Sequence, residues 1–207
     1  MTQNSRVSTR SSGGRPRAFD VDVVLDEALE LFWRKGFRST TTRDLEAQLG
    51  LSQSSLYNTF GSKQELMTAA LDRYEDRITG ELIGPLESSE EGLAAIDTFF
   101  NQLGYWVTHE GQRGCMLVNL MAEDGGETDE IRERTRRYRN RVRKAIRSAL
   151  RRAVQIGETA DEAIEMRVES LMGMVLALNV AARGGATSSE MTRLIGGARY
   201  QVKSWAD

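Results

Sequence analysis

The chain has 207 residues, with 28 Lys and Arg against 30 Asp and Glu, a net charge of −2 and one cysteine. That balance excludes a uniformly basic nucleic-acid coat protein, so any contact with a polyanion must come from a local surface. A single Cys excludes an internal disulfide and fits a reducing cytoplasm, and no run is apolar and long enough for a membrane span or signal peptide.

The first 18 residues carry Arg6, Arg10, Arg15 and Arg17 and no acid. A basic arm of this kind can reach a minor groove beside a DNA-binding domain, with Arg15 and Arg17 as its candidate contacts. A disordered Ser/Gly tail fits the same composition. Gly13-Gly-Arg-Pro16 interrupts what would otherwise be a faint transit-peptide pattern. A first helix follows: Phe19 can staple onto Val24 across an Asp20 cap, and Val21, Leu25, Ala28 and Phe32 make one face.

Thr40 to Lys63 reads as two short helices around a tight Gly turn, the pattern of a helix-turn-helix whose second helix enters the major groove. Thr41 caps the first helix and Asp44 answers it three positions on, a capping box with Asp in place of Glu. Leu45 and Leu49 share a face, Gly50 supplies the left-handed residue that closes the helix, and Ser52 caps the next one after Leu51. Leu56 and Phe60 turn inward onto Leu45 and Leu49. Gln53, Ser54, Ser55, Tyr57, Asn58 and Thr59 are left over. Gln and Asn pair twice with adenine and Ser meets several base edges, while Tyr57, Thr59 and Lys63 are placed for phosphates, which set register rather than sequence. An ordinary helical hairpin with a polar outer face is the alternative.

Ser62-Lys-Gln-Glu65 reads as a further capping box. The helix it opens shows Met67, Leu71, Tyr74, Ile78 and Leu82 in steps of three or four until Gly84-Pro85 ends the pattern. Leu93, Ile96, Phe100, Leu103 and Val107 mark the next helix, followed by a short one from Cys115 to about Ala122. A polar break at 123–128 precedes a long helix with Ile131, Tyr138, Val142, Ala145, Ala149 and Ala153 inward. Thr159-Ala-Asp-Glu162 and Thr187-Ser-Ser-Glu190 read as capping boxes for the last two helices.

The penultimate helix is apolar nearly all round from Leu171 to Ala182, so it must be covered on both sides. Gly173, Ala177 and Ala181 form a small-residue row. With Val180 and with Leu194, Ala198 and Val202 of the last helix, they suit a four-helix interface between two copies. A helix fully buried in a monomer is the alternative. A two-fold dimer would also read a near-palindrome with half-sites about one helical turn apart.

The segment from about Phe19 to Tyr74 resembles the DNA-binding domain of TetR-type transcriptional regulators. The resemblance is carried by Ala28-Leu-Glu-Leu-Phe-Trp-Arg-Lys-Gly-Phe37, by Thr40-Thr-Thr-Arg-Asp-Leu45 and by Leu56-Tyr-Asn-Thr-Phe-Gly-Ser-Lys-Gln-Glu-Leu66. Its most specific part is Leu-Tyr-x-x-Phe-x-Ser-Lys-x-x-Leu. Gly114-Cys-Met-Leu-Val-Asn119 is similar to a run in one group of the family. The resemblance implies a homodimeric, ligand-responsive regulator, usually a repressor. It implies that Thr42 and Arg43 open the supporting helix, that Gln53, Ser54, Ser55, Asn58 and Thr59 lie on the recognition helix, and that Tyr57 and Lys63 contact phosphates. Phe99, Phe100, Leu103, Trp106, Met116, Leu117, Leu120, Met121 and Tyr138 could line an apolar pocket or simply fill a core. The resemblance favours a pocket for a small, uncharged or lipophilic effector that shifts the connecting helix and spreads the two heads.

Cys115, at a helix start, could be an oxidant or electrophile sensor or a small core residue. His109 lacks the companions of a metal ligand or general base and reads as a helix-end residue. Asn179 is a candidate dimer-specifying polar contact. Ten Arg and one Lys against Glu133 alone, between Arg132 and Arg152, read as a solvated face, a second nucleic-acid surface, or partners for Glu87–Glu91 or Asp161–Glu169. No His–Cys pair, His-Glu-x-x-His, Gly-rich phosphate loop or Cys cluster occurs, which argues against an enzyme and leaves no metal or cofactor expected. An architectural DNA-binding protein without an effector is the nearer rival. The expected fold is all-α: a flexible basic arm (1–18), a helix-turn-helix DNA-binding domain (19–64) and a helical effector-binding and dimerisation domain (65–207).

Overall fold

The computed structural model describes residues 19–109, 113–122 and 129–206. These form ten α-helices, with no strand among the described residues: α1 (Val21–Lys35), α2 (Thr42–Leu49), α3 (Gln53–Phe60), α4 (Lys63–Ile78), α5 (Gly84–Ser88), α6 (Leu93–His109), α7 (Met116–Ala122), α8 (Asp129–Gln155), α9 (Ile164–Arg183) and α10 (Ser188–Lys203). The basic arm, Arg15 and Arg17 included, and the polar break at 123–128 lie outside the described residues.

α1 starts where the Asp20 carboxylate accepts from the Asp22 amide at 2.9 Å, and it buries the inward face led by Leu25, Ala28 and Phe32. That face packs on α2 and α4, and α3 closes the head against α4. The Ser62 hydroxyl accepts from the Glu65 amide at 3.1 Å to open α4.

The connecting helix does not stop at Gly84-Pro85. It passes through a π-helical turn, Thr79–Ile83, directly into α5. The Gly84 amide donates to Thr79 O across that turn, and Pro85 falls in the first turn of α5. Proline has no amide hydrogen, so the amide-to-carbonyl ladder that Gly84 continues across the turn lacks one bond at Pro85.

Thr187-Ser-Ser-Glu190 is a reciprocal capping box that opens α10. Thr159-Ala-Asp-Glu162 is not: α9 begins only at Ile164, without a side-chain cap, and the buried Thr159 hydroxyl accepts from Arg167 Nη1 instead.

In the body α8 packs along α9, and α10 packs on α6 and α9. One continuous core runs from Val24 in the head to Val202 in the body. At the junction, Trp33 of α1, Tyr74 of α4 and Trp106 of α6 meet ring to ring, with centroids 5.2 to 5.9 Å apart. Aromatic pairs at such distances add attraction beyond area burial.

The arginines of α8 are mostly paired with acids. Arg141 forks onto Glu87, Arg143 onto Glu169 and Arg147 onto Glu165. Arg134 is 7% exposed and bridges Asp72 and Glu75 of α4. The run therefore straps α8 to α4, α5 and α9; of the three readings open in the sequence this is the acid-pairing one, with Asp72 and Glu75 of α4 as partners beyond the two acidic segments.

Candidate nucleic-acid interface

The supporting helix α2 is fixed at both ends by its own residues. Thr41 Oγ1 accepts from the Asp44 amide at 3.2 Å, and Asp44 Oδ2 accepts from the Thr41 amide at 2.7 Å. Lys35 Nζ lies 2.6 Å from the same oxygen. The Lys35 ammonium first, and then the Thr41 hydroxyl and amide, hold the Asp44 carboxyl far below the usual carboxylate range. Gly50 closes α2 at φ 63°, ψ 20°. Space around it is open, so the left-handed backbone alone calls for glycine.

Ser52 caps α3 by accepting from the Ser55 amide at 3.3 Å. Leu45 and Leu56 are each 1% exposed and Leu49 is 9% exposed, with Phe60 half-buried beside them. This apolar footing anchors α3 and leaves Gln53, Ser54 and Asn58 exposed, with Ser55, Tyr57 and Thr59 half-buried at the edges. Tyr57 Oη lies 2.9 Å from Thr42 Oγ1 and couples the two helices, while Arg43 is exposed one residue further along α2. Three side chains able to hydrogen-bond base edges thus stand exposed on one short helix, with the Ser54 hydroxyl 3.0 Å from that of Ser52.

Lys63 departs from its expected phosphate role. Its ammonium donates to the carbonyls of Phe37 and Thr40, both at 2.9 Å, and lies 4.4 Å from the Phe37 ring centroid. Burial lowers its pKa. Two donors are committed to the loop between α1 and α2, so Lys63 is a strap inside the head. Glu46 is a further residue of the site: its Oε1 accepts from the Gln53 amide at 2.7 Å. The contact crosses the turn, where helical periodicity gives no signal.

The residues expected to line a pocket are packed as core. Phe99, Phe100, Leu103, Met116, Leu117 and Leu120 are each at most 2% exposed, and Trp106 and Tyr138 at most 8%, with Met121 half-buried beside them. Cavities open onto the surface instead. One of about 310 Å³ lies between the π turn and α6 and reaches Trp106, along with Glu81, Tyr105 and His109. Apolar periodicity reports burial; it does not report empty volume.

The candidate interface divides. Gly173, Ala177, Val180 and Leu194 are exposed and Ala181 is half-buried. Ala198 and Val202 are 2% and 0% exposed, buried in the core of their own chain and out of a partner's reach. The exposed face also carries Met166, Leu176 and Tyr200, which the small-residue row did not reveal. Asn179 is 1% exposed. Its Oδ1 accepts from the Cys115 amide at 2.6 Å and its Nδ2 donates to Val175 O at 2.7 Å, so its polarity is spent within the chain.

Cys115 is 1% exposed and burial pushes its thiol pKa up, the reverse of what a reactive thiol needs. His109 ends α6 and stacks on Tyr105 at 3.9 Å, as a helix-end residue. No helix of the described residues is long and apolar enough to cross a membrane.

The family model described as "Bacterial regulatory proteins, tetR family" matches residues 24–70, and "Tetracyclin repressor-like, C-terminal domain" matches residues 92–196. The HTH-type transcriptional repressor ComR of Escherichia coli is 32% identical over 132 residues, covering 61% of this chain and 63% of ComR. The HTH-type transcriptional regulator YezE of Bacillus subtilis is 31% identical over 111 residues, covering 53% of this chain and 57% of YezE. The matches thus span less than two thirds of either relative. Among solved structures, a cysteine mutant of the TetR family transcriptional regulator CifR, complexed with 26-bp operator DNA, superposes with a TM-score of 0.80 at 24% identity over 93% of this chain and 100% of that one. A TetR regulator from Rhodococcus sp. RHA1 is 29% identical, with a TM-score of 0.57 over 88% and 99%.

Proposed function

The chain belongs to the tetR family of bacterial regulatory proteins, and from that premise we propose that it is a transcriptional repressor. In this reading it binds a near-palindromic operator as a homodimer and is released by a small hydrophobic effector. The observation that carries the DNA-binding part is the exposed trio Gln53, Ser54 and Asn58 on α3, over the buried footing of Leu45 and Leu56. Phosphate contacts in this reading come from Arg43, Thr42, Thr59 and Tyr57, since Lys63 is occupied within the head.

The homodimer is supported by the outer face of α9 and α10. Met166 (72%), Val180 (64%) and Tyr200 (76%) are apolar or amphipathic side chains left in water, beside exposed Gly173 and Ala177. Apolar material gathered on two neighbouring helices is what a partner would cover. An effector would insert among the aromatic and Met side chains between α6, α7 and α8, which must part to admit it. Movement there would reach α4 because the Met116 amide donates to Tyr74 Oη at 3.0 Å.

Sedimentation at about micromolar concentration tests the assembly. A species of twice the 23.2 kDa chain mass supports the reading; a monomer overturns the two-fold arrangement. A panel of hydrophobic compounds that leaves DNA affinity unchanged would remove the effector.

A further inference from the structure

The first amides of a helix have no intrahelical acceptor and must find one elsewhere. At the start of α3 the chain supplies its own. The Ser55 amide donates to Ser52 Oγ at 3.3 Å, and the Gln53 amide donates to Glu46 Oε1 at 2.7 Å. Glu46 belongs to α2, so its carboxylate crosses the turn and sits at the entry end of the helix that exposes Gln53, Ser54 and Asn58. Negative charge is favourable at a helix N-terminus. That is also the place where such a terminus would otherwise draw in a phosphate.

We propose that Glu46 is a positioning and specificity residue for DNA binding. Its carboxylate fixes the entry end of α3 against α2. It also keeps a negative charge where a backbone phosphate would gather, which lowers indiscriminate affinity and leaves discrimination to the side chains of α3. This rests on the DNA-binding reading above. A charge acts over about 8 Å at physiological salt, so the effect is local to this end of the helix.

The test uses the full chain and two variants. Binding is measured on an operator recovered by selection and on a random-sequence duplex of equal length, at about 50 and 300 mM salt. Glu46→Gln keeps an acceptor for the Gln53 amide and removes the charge. It should bind the random duplex roughly 3- to 10-fold tighter at low salt, with the gain shrinking at high salt, and bind the operator no more weakly than wild type. Glu46→Ala removes both functions. It should gain similarly on the random duplex yet fall several-fold below Glu46→Gln on the operator. A merely structural glutamate would not make Glu46→Gln bind tighter. Unchanged random-duplex binding by Glu46→Gln, or equal operator binding by the two variants, overturns the proposal. If wild type enriches no site at all, the DNA-binding reading falls and takes this inference with it. If wild type binds its operator and neither variant differs, the inference falls alone.

Discussion

Arg183, in the last turn of α9, donates through Nη1 to the main-chain carbonyl of Trp33 at 2.6 Å, across 150 residues of sequence. The helix whose outer face is proposed to meet a partner is therefore bonded directly to the end of α1. It satisfies a carbonyl that a helix C-terminus leaves open. Arg113 adds an ion pair to Glu30 of α1.

Arg183→Ala should lower stability by about 1 kcal/mol, less than a buried charged hydrogen bond because Arg183 is largely in water. Urea unfolding of the variant against wild type measures it.

Tyr74→Phe removes the hydroxyl that accepts from the Met116 amide, at a site where Tyr74 is 1% exposed. The stranded amide should cost about 1–3 kcal/mol. The same urea experiment reads it, and effector response should weaken if motion passes along this bond.

Val180→Asp places a charge on a side chain 64% exposed in the single chain. The variant should keep its helical content and sediment as a monomer. Ala198→Asp, by contrast, buries a charge at a position 2% exposed and should unfold the body, since an unpaired buried charge costs several kcal/mol. Circular dichroism with sedimentation separates the two.

The Asp44 carboxyl titrates in the folded head below its ordinary value of 3.8. A depressed carboxylate contributes stability at pH above its unfolded value and loses it as pH falls through the folded one. The stability difference between wild type and Asp44→Asn should hold from about pH 7 to pH 5 and shrink from about pH 4 downward. Thermal melts across that range check it.

Cys115 is sealed and its thiol pKa is raised. Native protein should react with a thiol reagent at neutral pH far more slowly than urea-unfolded protein, and Cys115→Ser should leave any oxidant response of DNA binding unchanged.

Local signals in the sequence were reliable where one residue had one sensible partner. Thr41 with Asp44, Gly50, Ser52, and Thr187 with Glu190 all do what their spacing suggests, because capping bonds form within four residues. The signals failed where a side chain had a distant alternative. The Thr159 hydroxyl accepts from Arg167, Lys63 reaches back 26 and 23 residues to Phe37 and Thr40, and Asn179 turns inward to Cys115. The apolar faces of α9 and α10 were legible, but not which side met the chain's own core: Ala198 and Val202 point in, and Val180 points out. Whether the interior between α6 and α8 was open or filled was beyond periodicity altogether, since packed and hollow cores draw on the same residues.

The most direct measurement is selection from a randomised DNA pool at controlled salt, with sequencing of the bound fraction. A near-palindrome with half-sites about one helical turn apart should be enriched, and the enrichment should be lost when Gln53 and Asn58 are both replaced by Ala. No enriched site, with binding that only tracks salt, would contradict the DNA-binding reading.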